Sequence, residues 1–195
     1  MPWLFLAYPL LAHLATLVHS ERLAWAALTV FAAVPLLPAL RQRKSWAWLS
    51  LLVISALLYG CASSGVARYL MFLPPILIPS SVLWVFLHSL RAGEVPLVTR
   101  IAMQVRGTLP AELLTYTRRV TQFWVGLLAM LALSSVLFAV FATAAFWSLM
   151  TNIVQYLLLA SVFLLEYLYR RIRFRHLPHE NFATFVGALF TARVR

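Results

Sequence analysis

The segment at residues 121–143, TQFWVGLLAMLALSSVLFAVFAT, decides the fold class of this chain. It runs for 23 residues without a charged side chain. About 20 mostly apolar residues are enough for one helix to cross the hydrocarbon layer of a membrane. The segment therefore predicts a transmembrane α-helix, and the rest of the sequence can be read outward from it.

Five further apolar runs flank this segment, at 2–19, 22–40, 45–62, 69–90 and 146–168. The whole chain is 63% hydrophobic and 11% charged, with a mean hydropathy of +0.88. A soluble domain is closer to half apolar and a quarter charged. We therefore predict an all-α, polytopic transmembrane helical bundle of about six spans. It forms one domain at 1–170, followed by a cytoplasmic basic tail at 171–195.

The positions of the basic residues predict the orientation of this bundle. Of the 16 Lys and Arg residues, all but Arg22 and Arg68 lie in 41–44, in 91–119 or from Arg170 onward. In a six-span arrangement these regions share one side, and the positive-inside rule assigns that side to the cytoplasm. The prediction is N-in/C-in, whereas a five-span arrangement would place basic loops on both sides. Because the charges lie between apolar runs, membrane lipids rather than nucleic acid are the expected partners.

Residues 91–119, which we call the basic segment, carry the most information about function. An amphipathic helix is predicted from Pro96 to Gly107, because the apolar residues in this stretch recur every four positions. These residues are Leu97, Ile101 and Val105. A second helix then runs unbroken into the 121–143 span, and Glu112, Tyr116 and Arg119 share one of its faces.

This arrangement indicates a site for phosphate groups or for an acidic partner, because guanidinium groups bind phosphate and carboxylate in a bidentate manner. The candidate residues are Arg91, Arg100, Arg106, Glu112, Tyr116, Arg118 and Arg119. The alternative is that the arginines only anchor the segment to anionic lipid.

The 69–90 span contains three prolines, Pro74, Pro75 and Pro79, which are expected to break its helix. Broken helices of this kind often line substrate cavities in membrane proteins. The same prolines are equally compatible with a static kink that shapes a packed bundle. Structural roles are expected for the other polar residues inside the spans. His13 is single and can be neutral there, and Asn152 and Gln155 are expected to form hydrogen bonds between packed helices.

The sequence predicts no metal ion and no cofactor, and it contains no recognisable catalytic motif. Without a single Asp, the aspartate-rich magnesium motifs of lipid-processing transferases are excluded. No His-Glu-x-x-His, Walker A or Gly-x-Ser-x-Gly pattern occurs. One cysteine, Cys61, is too few for an intrachain disulfide or a multi-cysteine metal site.

The basic segment and its flanks resemble a family of uncharacterised bacterial inner-membrane proteins. The similarity covers residues 70–180, and the sequences that carry it are Ser89-Leu90-Arg91, Pro96-Leu97-Val98-Thr99-Arg100-Ile101-Ala102, Arg106-Gly107, Leu109-Pro110, Glu112-Leu113, Tyr116-Thr117-Arg118, the Pro74-Pro75 span and Glu166-Tyr167-x-Tyr169-Arg170-Arg171-x-Arg173-Phe174. Members often occur in aryl-polyene or xanthomonadin-type gene clusters that contain ketosynthase and acyl-carrier genes. The resemblance implies a multi-pass protein of the bacterial inner (cytoplasmic) membrane and a pathway, but no reaction.

Two functions are compatible with these observations. The first is an accessory or scaffold protein for acyl-carrier-dependent polyene or lipid biosynthesis, which would bind an acyl carrier protein or a ketosynthase-type partner through the basic segment. The second is a membrane enzyme or transporter for a lipid-like or phosphorylated-carrier substrate, with Glu112 or His13 as a base. A lipid-sized cavity that opens at the arginines would favour the second function, and a solid bundle would contradict it.

Overall fold

The computed structural model describes the backbone of residues 3–173 and the side chains of 7–104 and 107–173. This part of the chain is helical and contains no strand. Its helices are α1 Trp3–Val18, α2 Glu21–Arg41, α3 Ser45–Ser63, α4 Ala67–Leu70, α5 Leu73–Ser89, α6 Leu97–Arg106, α7 Ala111–Phe141, α8 Ala144–Leu149 and α9 Gln155–Arg173. A π-helical turn, Met150–Val154, joins α8 to α9. From residue 174 onward, the predicted tail lies outside the residues that the structure describes.

The helices confirm the all-α, polytopic fold class. Within 3–173, five helical segments are long and apolar enough to cross a membrane: α2, α3, α4 with α5, α7, and α8 with α9. Between 11% and 28% of their apolar windows is buried inside the protein. The remaining apolar surface requires lipid around it, so the chain is a multi-pass membrane protein. At 16 residues, α1 is shorter than these five, and the count of about six spans stays a prediction.

Packing divides the chain into two compact units. Unit 1 comprises Met1–Ile78 and Ala132–Leu157, and unit 2 comprises Pro79–Leu131 and Leu158–Arg195. This division into packing units does not decide whether residues 1–170 form the single transmembrane domain that the sequence predicts, and that domain stays a prediction.

In unit 1, α1 and α2 are separate helices that pack directly against each other. His19 takes a left-handed conformation with φ 53° between them, and the Ser20 hydroxyl accepts a hydrogen bond from the Leu23 amide at 3.3 Å. Ser20 thus acts as the N-cap that the backbone of α2 needs. The contact is made by alanines that are at most 3% exposed: Ala12, Ala15, Ala24 and Ala27. Small side chains let two membrane helices approach closely, so this hairpin is held by close backbone contact.

The helix predicted at 69–90 is interrupted just before its prolines. α4 ends at Leu70, Met71 and Phe72 form a turn, and α5 then continues from Leu73 through Pro79. In a continuous helix, Pro74 and Pro75 would have to donate to the carbonyls four residues earlier, at Leu70 and Met71. Neither proline has an N–H group, so the helix breaks at those two positions.

Polar side chains join the other helices of unit 1. His13 Nδ1 lies 3.1 Å from Ser148 Oγ, and the Asn152 amide donates to the same Ser148 oxygen at 3.2 Å. Gln155 Nε2 donates to the hydroxyls of Ser134 and Ser135, each at 3.1 Å. His13 thus joins α1 to α8 and Gln155 joins α9 to α7, which confirms a packing role for these two residues. The Asn152 hydrogen bond lies within its own helical segment, so its predicted role between helices stays a prediction.

Unit 2 has an aromatic core centred on Trp124. The Trp124 ring lies 4.4 Å from the Phe163 ring and 6.3 Å from the Phe86 ring, between ring centroids. Leu127, Leu128 and Leu131 continue this core along α7. The rings fix the mutual packing of α5, α7 and α9 within this unit, which holds the start of α7 and the basic segment in place.

Candidate functional site

The basic segment is built on α6, which is attached to its neighbours by buried polar contacts. Thr99 Oγ1 and Thr117 Oγ1 lie 2.7 Å apart, and both residues are less than 5% exposed. The Leu97 amide donates to Ser89 Oγ at 3.0 Å, which satisfies one of the unpaired donors at the start of α6. These contacts fix α6 to the end of α5 and to the start of α7.

The amphipathic character predicted for α6 is confirmed at the residues whose side chains are described. Leu97 and Ile101 are each 8% exposed, so the stripe they form faces protein. Gly107 ends the helix with a φ of 74°, a left-handed conformation that glycine adopts without steric cost. Its amide still donates to the Met103 carbonyl at 2.8 Å, which closes the helix.

The start of α7 projects beyond the length that a membrane span requires. α7 has 31 residues, which at 1.5 Å per residue makes it roughly 46 Å long. A hydrocarbon core about 30 Å thick takes up roughly 20 of these residues. The unbroken helix predicted to run into the 121–143 span is confirmed. Its charged residues all lie within its first nine positions, so this start is the part that one crossing does not need.

The predicted site residues differ in how exposed they are and in what they contact. Arg118 and Arg119 are exposed on the projecting part of α7, and Glu112 is exposed at its first turn. The Arg100 guanidinium lies 3.5 Å from the Glu94 carboxylate and donates to the Val95 carbonyl at 3.4 Å. Arg91 lies over the Trp84 ring at 5.9 Å from its centroid. The side chain of Arg106 is outside the described residues.

A groove of about 460 Å³ lies beside Arg119, between α7 and α9 of unit 2. We call it the Tyr116 groove. The Tyr116 hydroxyl donates to Glu166 Oε1 at 3.1 Å, and its ring stacks on the Tyr169 ring at 6.0 Å between centroids. Further along the groove the lining becomes apolar, with Phe123 and Leu165. The groove thus combines a polar end that carries Arg119 with an apolar remainder, which is the pattern of an amphiphile site.

The structure brings together only some of the predicted residues. Tyr116 and Arg119, predicted to share a face, both line the Tyr116 groove, whereas Glu112 is not part of its lining. Pro74 and Pro75 are buried, and the cavity-lining role considered for the three prolines stays a prediction. Sequence reasoning did not identify Glu166 and Tyr169 as partners of Tyr116, although their spacing of three residues on α9 places them on one helix face.

Among the described residues, no three His, Cys, Asp or Glu side chains come together as a group able to hold a metal ion. In comparisons with known proteins, the chain matches no family, no curated protein sequence and no solved structure.

Proposed function

We propose that this chain is an integral accessory protein of the bacterial inner membrane that binds an acidic, phosphate-bearing partner at its basic segment. An acyl carrier protein of polyene or lipid biosynthesis has this chemistry, because it is acidic and carries a phosphopantetheine phosphate; a ketosynthase-type partner would join the complex through this carrier. The observation that supports the proposal best is the exposure of Arg118 and Arg119 on a helix projection that buried threonines hold against α6. Exposed guanidinium groups on a rigid support form bidentate bonds with phosphate or carboxylate at little cost in conformational entropy.

The proposal places the basic segment in the cytoplasm, with both ends of the chain on that side. Packing within unit 1 supports this orientation: Ser20 of the α1–α2 turn, Arg68 of α4 and Ala144 at the start of α8 line one pocket. Successive helices therefore run alternately toward and away from this end. The end carries few cations, as the positive-inside rule requires of the external side.

Binding of an acidic partner is tested by reversing the charge of the two exposed arginines. We expect Arg118→Glu with Arg119→Glu to weaken binding of the purified carrier protein to the chain in nanodiscs by at least tenfold. The matched control is Arg41→Glu with Arg43→Glu, which makes the same change in net charge at exposed positions at the end of α2 and just after it. That control should change the dissociation constant by less than twofold.

Salt gives a second measure, because the attraction between exposed charges is screened over about 10 Å at 0.1 M ionic strength. The wild-type affinity should fall as salt rises, and the affinity of the doubly reversed variant should depend on salt much less. Equal loss of binding in both charge-reversed variants would mean that net charge rather than the basic segment binds the partner. Binding that survives the reversal at 118 and 119 would rule out this surface.

A second function, the handling of a lipid-like substrate with an anionic head, is favoured by the Tyr116 groove. Its volume of about 460 Å³ lies within the range of roughly 300–1,000 Å³ typical of small-molecule sites. Arg119 at the polar end would bind the head, and the side chains of Phe123 and Leu165 would contact the acyl chain.

The neighbouring residues Arg118 and Arg119 allow a matched test of whether the groove binds an anionic head. Arg119 lines the groove, whereas its exposed neighbour Arg118 does not. Arg119→Gln should therefore weaken binding of dodecyl phosphate, measured by native mass spectrometry, at least tenfold. Arg118→Gln should leave it within twofold. The same effect from both variants would assign the binding to the general surface charge.

A further inference from the structure

The Tyr116 groove lies between one face of α7 and one face of α9. α7 contributes Tyr116, Arg119 and Phe123, and α9 contributes Leu165, Glu166 and Tyr169. Because Tyr116 contacts both Glu166 and Tyr169, the polar residues of the two helices meet at the same end of the groove. From Tyr116 to Phe123 the helix rises by roughly 10 Å, which is room for a lipid head and the first part of one acyl chain.

The polar end of the groove carries one charge of each sign, on opposite helices. Arg119 on α7 is positive and Glu166 on α9 is negative, and both side chains line the groove. Among the residues that the structure describes, neither of them has an ion-pair partner. A head with one positive and one negative group therefore complements the groove, whereas a second negative group on the head would face Glu166 as a like charge.

The Glu166 carboxylate can accept a hydrogen bond from a ligand. Its Oε1 accepts from the Tyr116 hydroxyl at 3.1 Å, and within the described part of the chain this is the hydrogen bond that Glu166 makes. A carboxylate has two oxygens with about four acceptor sites, so acceptor sites remain. The side chain is half-buried, and its neighbours Leu165 and Tyr169 are 64% and 55% exposed. A lipid of the surrounding membrane can therefore reach the carboxylate from the open side of the groove.

From this arrangement we propose that the Tyr116 groove selects lipids whose head carries a primary ammonium beside the phosphate, as a phosphoethanolamine head does. The inference rests on the second function proposed above and names its substrate class. Arg119 binds the phosphate, and the ammonium donates to the Glu166 carboxylate. One acyl chain lies against Phe123 and Leu165. Free phosphoethanolamine would leave these apolar side chains uncovered, so the ligand is a lipid rather than the soluble molecule.

The test compares dodecylphosphoethanolamine with dodecylphosphocholine, which has the same charges and the same chain but no N–H group to donate. The full chain is titrated in detergent with each compound, and bound ligand is measured by native mass spectrometry. We expect the ethanolamine compound to bind at least tenfold more tightly, because its ammonium forms a charge-assisted hydrogen bond with the carboxylate. Glu166→Gln keeps an oxygen for the Tyr116 hydroxyl but removes the charge, and should reduce the preference to less than twofold. The matched control is Glu112→Gln, at an exposed position outside the groove lining, which should keep the preference.

Equal affinity for the two heads in the wild type overturns the proposal, and so does a preference that survives Glu166→Gln. Tighter binding of the choline compound would overturn it by assigning the head to the tyrosine rings through cation–π contact. Free phosphoethanolamine that binds as tightly as the dodecyl compound would overturn the assignment to a lipid. The wild-type comparison needs no variant, so it decides even if Glu166→Gln does not fold.

Failure of this inference can be told apart from failure of the second function. Binding of dodecyl phosphate that depends on Arg119, without any preference for the ethanolamine head, would leave the second function standing and remove the selectivity alone. Loss of Arg119 dependence for every ligand would remove both.

Discussion

The contact between Thr99 and Thr117 makes a sharp prediction about how α6 is held. Thr117 Oγ1 lies 2.8 Å from the Leu113 carbonyl and 2.7 Å from Thr99 Oγ1. When Thr117 donates to the Leu113 carbonyl, Thr99 supplies the proton of the contact between the two hydroxyls, and the prediction is worked out for this arrangement. Thr99→Val removes this donor and leaves Thr117 bonded to Leu113, at a cost of about 0.5–1.5 kcal/mol. Thr117→Val instead strands the buried Thr99 hydroxyl, at a cost of about 1–3 kcal/mol.

The double variant should be less destabilised than the sum of the two single variants, because replacing both partners by an apolar residue of the same shape leaves no unpaired hydroxyl. Hydrogen exchange of the α6 amides measures the local opening equilibrium. We expect Thr117→Val to raise their exchange rates about fivefold to a hundredfold, since each 1.4 kcal/mol is a factor of ten. Thr115→Val is the control, because its hydroxyl is exposed and bonds only within α7.

The control should stay within about 0.5 kcal/mol of the wild type. Additive effects of the two substitutions would refute the reasoning, because they would mean that the two hydroxyls do not interact. An increase in exchange in the Thr115→Val control as large as that in Thr117→Val would refute it in another way, by showing that any threonine of α7 affects α6.

Three further predictions concern topology and the packing of unit 1. In a background without the single cysteine, Gln42→Cys should react with an impermeant thiol reagent only from the cytoplasmic side and Val66→Cys only from the external side; labelling of both from one side would contradict N-in/C-in. Ala15→Leu should destabilise the α1–α2 hairpin by about 1–3 kcal/mol through overpacking, seen as a lower unfolding temperature in detergent, whereas Leu14→Ala at an exposed position should change it far less. Gln155→Leu should cost about 0.6–1.7 kcal/mol, the range found for hydrogen bonds between membrane helices, and no change in unfolding temperature would show that its contacts with the two serines contribute nothing.

The fold was predictable because its main determinants are local in the sequence. Apolar runs of about 20 residues mark the spans, Gly107 marks the end of α6, and Pro74 with Pro75 marks the interruption before α5. Each of these features acts through the backbone within one or two helical turns. For α1, which has 16 residues, length alone does not decide whether the helix crosses the membrane.

The site was less predictable because its contacts join residues that are distant in sequence. In the sequence, nothing distinguishes Thr99 and Thr117 from other threonines in helices. Helical periodicity does not predict their contact either, because they lie on different helices. Tyr116 and Glu166 are 50 positions apart, and their contact depends on how α7 and α9 pack. Arg91 is different, because its stacking on Trp84 spans seven residues, which is two helical turns and therefore accessible to sequence reasoning.

The alanine contact between α1 and α2 has a consequence for how the chain enters the membrane during synthesis. The two helices are joined only by His19 and Ser20, so they can insert as one preassembled hairpin. In the N-in arrangement, the insertion machinery would have to move a short turn and the adjacent Glu21 and Arg22 across the bilayer. These neighbouring charges are of opposite sign, which lowers the electrostatic barrier to their passage. The single substitution Glu21→Lys, which makes both residues positive, should therefore delay hairpin insertion in a translocation assay, even where the finished protein is stable.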